Sequence, residues 1–521
     1  MSKFKKRGVI ISSILIVFVA LGVMLKPFVI EYIEDRIKSE VEKVEDFTAR
    51  AIHISILDRE IIFDSVTYKT LEKGIKLEIT SIEVDGFSLY QLIFKKHLAI
   101  DKVVIAAPEY SKYALKNEKV EKNSQKHKLK LEQLSFKNIE VIDGNLQLFS
   151  IDSSLIHQVN QINSQLIGID IDLTKPFIPS QIEYSGFNIT MDSSCLFQNS
   201  KHFLTTKKVL INDLSGIIVK DLNYCPNKIY MNGSKKEQYR VNWTNATIDS
   251  LHLSLDWNLL QNKQQIHSDK LIINQLEYSS LINKNYPKKE HKEKLLPHQM
   301  IQQLNLSMTL DSILIINSRF EYNETKKGRN DRGVIYFTEF NATIENITND
   351  SASLATNNQM KATIETKLMS QSVMAVIIDY NLASAEGNHR IHGNLANFDL
   401  TNLNKVFMPL ALIRFEEGHL TKMDFNYYLN STFSEGTLDF YYENLNISVF
   451  NDKKENNPQI IDKVISGLAN SFIIRKSNPL RGHYIKGDID FTREKDKSFL
   501  NFWWKSLFSG MKSSVIRSDL N

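Results

Sequence analysis

LEQLSFKNIEVIDGNLQLF, residues Leu131 to Phe149, runs through two alternating apolar and polar stretches, breaks at the small polar pair Asp143-Gly144, and then alternates again. A period of two sends successive side chains to opposite faces of a sheet, so the stretch reads as β-strand with one apolar face. LNLSMTLDSILIINSRFEY, residues Leu304 to Tyr322, follows the same plan with Asn317-Ser318 at the break. Half-patterns of this kind recur at Lys208 to Val219, Ala246 to Leu259 and Lys270 to Leu281. No fixed period links them, which predicts a meandering sheet built from one kind of hairpin and not a sharp solenoid.

The same alternation extends both ways. Upstream, Ile52, Ile54 and Ile56 alternate with polar residues; Ile61, Phe63 and Val66, then Ile75 to Ile79 and Ile82 to Val84, continue a β-rich opening. Leu89 to Phe94 predicts a short helix that crosses from one sheet edge to the next, and Leu98 to Ala106 a strand ending at Pro108. Downstream, strands are expected at Val334 to Phe337, Phe340 to Ile347, Ala362 to Leu368, Val373 to Tyr380 and His389 to Leu395. Two Lys-rich polar breaks, Asn117 to Lys130 and Asn283 to Lys294, interrupt the pattern, the second preceding a short helical stretch around His298 to Leu304. The fold class is therefore mainly β: an elongated, twisted antiparallel sheet or groove of on the order of 30 strands with few short helices.

At the N-terminus, Val9 to Ile30 is apolar and carries no charge until Lys26. At about 1.5 Å per residue, roughly 20 residues cross a bilayer core, so a transmembrane anchor is expected through Val9, Ile10, Ile11, Ile14, Leu15, Ile16, Val17, Phe18, Val19, Leu21, Val23, Met24 and Leu25. Lys3, Lys5, Lys6 and Arg7 precede the run and Glu31, Glu34 and Asp35 follow it, which holds the short N-terminus in the cytoplasm and exports the rest. A cleaved secretory leader is the alternative, but the run exceeds the usual apolar core of about 7–15 residues and no A-x-A-like site closes it. Ile33, Ile37, Val41, Val44 and Phe47 then predict an amphipathic helix reaching about Thr48.

The C-terminal end has two further amphipathic patterns. Ile460, Ile461, Val464, Leu468 and Phe472 have helical spacing; a last strand is expected at Gly487 to Phe491. In the tail, Phe499, Phe502, Trp503, Leu507 and Met511 fall near one helical face, with Trp504 completing the interfacial or docking set and Lys497, Lys505, Lys512 and Arg517 among them. Such a helix suits a membrane interface or a docking partner, and equally suits a cap on the end of a sheet. The expected organisation is residues 1–30 stub and anchor, 31–116 juxtamembrane helix and N-terminal unit, 129–380 β-rich body, 381–450 C-terminal β region, and 451–521 amphipathic helices with the last strand.

Composition narrows the chemistry. Against 64 basic residues stand 60 acidic ones, and the lysines of the polar breaks are interleaved with Glu, so no nucleic-acid partner is expected. Cys195 and Cys225 could pair in an exported compartment or stay apart, and no CxxC pattern exists. No GxSxG, HExxH, P-loop or strand-to-helix GxGxxG is present. His389 and His392 lie three apart beside a strand, where their side chains point to opposite faces. No catalytic residues, cofactor or metal are expected.

IHGNLANFDLTNLNKVFMPLALIRFEEGHLTKMDFNYYLNSTFSEGTLDFYYENLNI, residues Ile391 to Ile447, leads a strand into Phe398-Asp399-Leu400-Thr401, a short helix through Leu403, Val406, Phe407 and Met408, and a hairpin opened by Gly418. This resembles the C-terminal region of the AsmA-like family, inner-membrane-anchored β-rich proteins related to TamB and YhdP. The anchor and the pattern Phe87 to Pro108 resemble the N-terminus of the same family. The resemblance implies an inner-membrane, single-pass protein of a two-membrane envelope, with its bulk in the periplasm. It also implies an apolar β-groove that carries phospholipid acyl chains between the membranes or maintains the outer one. A non-transporting scaffold or assembly factor, meeting an outer-membrane or envelope protein at its C-terminal end, is the other reading.

Overall fold

The computed structural model describes residues 46–56, 58–70, 74–115, 132–175, 182–198, 201–227, 238–289, 292–450 and 474–516. The anchor residues, the juxtamembrane helix as far as Val44, the break Asn117 to Lys130 and the helical pattern Ile460 to Phe472 lie outside the described residues. Among the described residues, no helix is long and apolar enough to cross a membrane. Phe47, the last residue of the expected juxtamembrane stripe, opens a strand instead and is buried. The chain divides into two compact units, Met1–Asn199 with Phe203–Asp221, and Ser200–His202 with Leu222–Asn521.

The first unit begins with strands β1 (Phe47–Ser55), β2 (Glu60–Thr70) and β3 (Ile75–Asp85), each antiparallel to the next. Helix α1 (Leu89–Lys95) follows, then β4 (His97–Ala106) and β5 (Glu109–Tyr113), two halves of one broken strand that both pair antiparallel with β3. The break falls at Ala107, whose φ of 44° lies in the left-handed region, just before Pro108. β6 (Gln133–Phe149) runs parallel to both halves, and β7 (Leu155–Asp172), β8 (Gly186–Gln198) and β9 (His202–Asn212) continue antiparallel. β10 (Gly216–Pro226) pairs with β9.

The second unit opens on the same plan. β11 (Asn242–Leu253), helix α2 (Trp257–Lys263), β12 (Ile266–Asn274) and β13 (Glu277–Asn283) repeat β3, α1, β4 and β5, with β12 and β13 both antiparallel to β11. Helix α3 (Pro297–Gln302) precedes β14 (Met308–Thr325), which runs parallel to both. β15 (Arg332–Thr348), helix α4 (Ser351–Thr356), β16 (Gln359–Leu368), β17 (Ser372–Asn381) and β18 (His389–Asp399) extend the sheet antiparallel. A 3-10 turn at Leu400–Leu403 and helix α5 (Asn404–Ala411) lead to β19 (Ile413–Leu429), β20 (Phe433–Val449), β21 (Gly487–Thr492) and helix α6 (Phe499–Val515).

The two copies agree in detail. Ser88 Oγ accepts from Gln91 N at 3.4 Å and Asp256 Oδ1 from Leu259 N at 2.9 Å, capping α1 and α2, and both helices end on a left-handed residue, Lys96 or Gln264. The strand break at Ala107 donates to Ile142 O, and its counterpart Gln275 to Ile316 O. The polar kink falls where alternation predicted it: Asp143 (φ 54°) and Asn317 (φ 45°) are each held by a side-chain amide oxygen, of Asn163 and Asn341 respectively. Sequence carries the same correspondence, since DKVVIAAPEYS from Asp101 aligns without a gap on DKLIINQLEYS from Asp269.

Three expectations are corrected. The sheet pairing is mixed, because each broken strand lies beside a parallel neighbour that only a long crossover connection can reach. Both Lys-rich breaks occupy those crossovers, so β5 and β6 pair across the first of them. The helix at Leu89 does not cross between sheet edges, since β3 and β4 on either side of it are direct neighbours. Twenty-one strands are described, fewer than expected, because pairs such as Val334 to Phe337 and Phe340 to Ile347 are one strand bulged at Glu339. Gly418 sits inside β19, and the hairpin expected there is β19 paired antiparallel with β20.

Candidate apolar binding face

Strand register fixes which apolar side chains share a face. In the second unit one transverse row runs Leu253, Leu271, Ile313, Ile344, Ala362, Ile378, Ile391 and Tyr427, each opposite the next, and ends past Gly436 at Ile489. From Ala362 onward its side chains are buried, whereas Leu253, Leu271, Ile313 and Ile344 are only half-buried. A parallel row through Leu251, Ile273 and Ile315 is half-buried too. Leu253, Ile313 and Ile344 touch the buried core, so the row leaves only part of its apolar area in contact with water, at one end of a sheet that is closed at the other.

The closed end is made by α6. Its Ser498 cap starts the helix, and Phe502 (1% exposed) and Leu507 sink into the core with Leu438, Phe440 and Ile489. Contact is close enough that a Cβ on Gly487 would meet Gly510 O at 2.4 Å. Phe499, Trp503 and Met511 pack partly against the same core. Trp504 remains 39% exposed and forms, with Phe508 and Phe407, an aromatic ridge beside exposed Leu500. Five of the tail residues singled out from sequence therefore pack on the molecule's own sheet, and Trp504 faces outward.

Two buried histidines belong to this end. His389 donates from Nδ1 to Gly387 O at 2.9 Å and accepts at Nε2 from the Trp503 indole at 3.1 Å, an arrangement that requires the neutral ring. Burial pushes its pKa down to about 3. His298, 1% exposed, lies against Tyr380 and His389, and burial pushes it down to about 4. His392, as alternation predicted, points elsewhere, 3.6 Å from Asp379.

The corresponding rows of the first unit behave differently. Ile61, Val84, Val103 and Ile139 stand opposite one another and are all buried, as are Phe63, Ile82 and Ile105 in the row beside them. β2 extends this copy on the side of β3, and Phe87 is buried at the foot of α1, where the second copy has half-buried Leu255 and a helix with no buried residue. Farther along, Leu166, Phe187, Ile189 and Ile211 carry the face on as half-buried residues.

Sequence reasoning found the alternating strands but not the open row, because half-burial depends on what covers a strand and not on its own pattern. The aligned DK and EYS signatures were the signal that would have paired the two copies. No protein-family model matches the chain, and no curated protein matches it either.

Proposed function

We propose that this chain is an AsmA-like, inner-membrane-anchored envelope protein that binds phospholipid acyl chains on its half-buried apolar rows, contributing to lipid movement or envelope maintenance without catalysis. The observation that supports it is the row Leu253, Leu271, Ile313 and Ile344, aligned side by side and incompletely covered. Acyl chains are non-directional apolar partners, so a smooth stripe of Leu and Ile suits them, and the hydrophobic gain is roughly 25 cal/mol per Å² covered. The Val9 to Ile30 run would hold the row beside its lipid source.

The test is to extract the full chain gently and identify bound lipid by mass spectrometry. Stoichiometric phospholipid that falls at least several-fold in Leu271→Asp/Ile313→Asp, with circular dichroism unchanged, supports the reading. A lipid-free protein would overturn it. The ridge of exposed Trp504 and Phe508 against half-buried Phe407 favours a second reading, a scaffold that docks an envelope protein through α6. Under it, Trp504→Ala/Phe508→Ala abolishes recovery of that partner and leaves bound lipid untouched.

A further inference from the structure

The two copies of the motif differ in charge at one matched place. In the first, Asp101 on β4 and Lys137 on β6 stand side by side, with Lys137 Nζ 2.6 Å from Asp101 Oδ1. In the second, the matching pair on β12 and β14 is Asp269 and Asp311, two carboxylates on neighbouring strands. The residue two before Asp101 is Ala99; the one two before Asp269 is His267, on the same strand face. Like charges opposed across a ladder are destabilising, and here the built-in cation of the first copy has been exchanged for an anion and an imidazole.

We propose that His267, Asp269 and Asp311 bind a divalent transition-metal ion of the zinc class in the place where the first copy carries its lysine. One nitrogen and two carboxylate oxygens, all within 4.8 Å of one another, are offered from a single face. His267 Nε2 already stands 3.8 Å from Asp269 Oδ1. Ligand atoms about 2.0–2.2 Å from zinc lie roughly 3.4 Å apart in a tetrahedron, so side-chain rotation alone converts the cluster into three ligands, with water in the remaining position. The imidazole selects a borderline ion over calcium or magnesium, which prefer all-oxygen sets. The rigid part is the backbone: Ser268 and Leu310, flanking the cluster on the same two strands, are buried and paired in register. Asp269 itself is 83% exposed, so the ion exchanges freely with solvent.

Zinc binding to the full chain in detergent is measured by isothermal titration, with Asp311→Lys as the main variant. That substitution rebuilds the first copy's salt bridge and so preserves the fold, checked by circular dichroism. One zinc per chain in the wild type, weakened at least tenfold in Asp311→Lys and in His267→Ala, is the expected result. No stoichiometric zinc, or unchanged affinity in Asp311→Lys, would overturn the site. Calcium or magnesium binding as tight as zinc would overturn the assignment of the ion. His267→Ala serves as the independent variant should Asp311→Lys lose structure.

Discussion

The first copy of the β3–α1–β4–β5–β6 motif and its second copy, β11–α2–β12–β13–β14, share caps, strand break, kink and parallel crossover, yet one hides its apolar rows and the other leaves them half open. Val103 is 1% exposed, while its counterpart Leu271 is half-buried. Backbone design therefore does not decide whether a face becomes core or surface. The neighbours differ: β1 and β2 extend the first copy's sheet and join their own apolar residues to its core, whereas α2 beside the second copy has no fully buried residue.

The largest effect should come from placing a charge in each copy. Val103→Asp buries an unpaired carboxylate and should cost roughly 4 kcal/mol or more, enough to unfold the first unit, whereas Leu271→Asp should cost about 1 kcal/mol. Urea denaturation followed by circular dichroism separates them; equal costs would break the comparison. Next, Phe502→Ala removes the plug of the closed end and should cost about 3–5 kcal/mol, while exposing new apolar surface to an environment-sensitive dye. An unchanged melting temperature would mean that α6 does not close the sheet.

The histidines of the closed end give a pH signature that the open rows lack. His298 and His389 have folded pKa values of about 4 and about 3, below the ordinary value near 6.5. The unfolded chain therefore takes up protons first as pH falls. Their contribution is complete above about pH 6.5 and declines by about 1.4 kcal/mol per pH unit for each group down to its folded value. His298→Leu should make the pH dependence of the urea midpoint shallower; an equally steep curve would contradict the assignment. The smallest effect is expected at the surface pair, where Lys137→Ala should change stability by less than about 1 kcal/mol in a thermal melt.

Much of the architecture was legible in alternation. The kinks at Asp143 and Asn317, the helix at Leu89 and the strands from Val334 to Leu395 all follow from period, polar breaks and short apolar runs. Parallel pairing was not legible, since the Lys-rich breaks mark the crossovers but carry no sign of which strand edge they reach. The tail was legible in part: helical spacing puts Phe499, Phe502, Trp503, Leu507 and Met511 on one face and leaves Trp504 off it, but what that face packs against is not written in its own pattern. Matched residues such as Lys137 and Asp311 carry meaning only once the two copies are superposed in register.

The most direct measurement is photocrosslinking of the full chain with a phospholipid that carries a photoactivatable group in its acyl chain, with adducts mapped by peptide mass spectrometry. The account predicts adducts on β12 and β14 around Leu271 and Ile313, and none on β4 and β6 around Val103 and Ile139. Equal labelling of the two copies, or labelling confined to the Trp504 ridge, would contradict it.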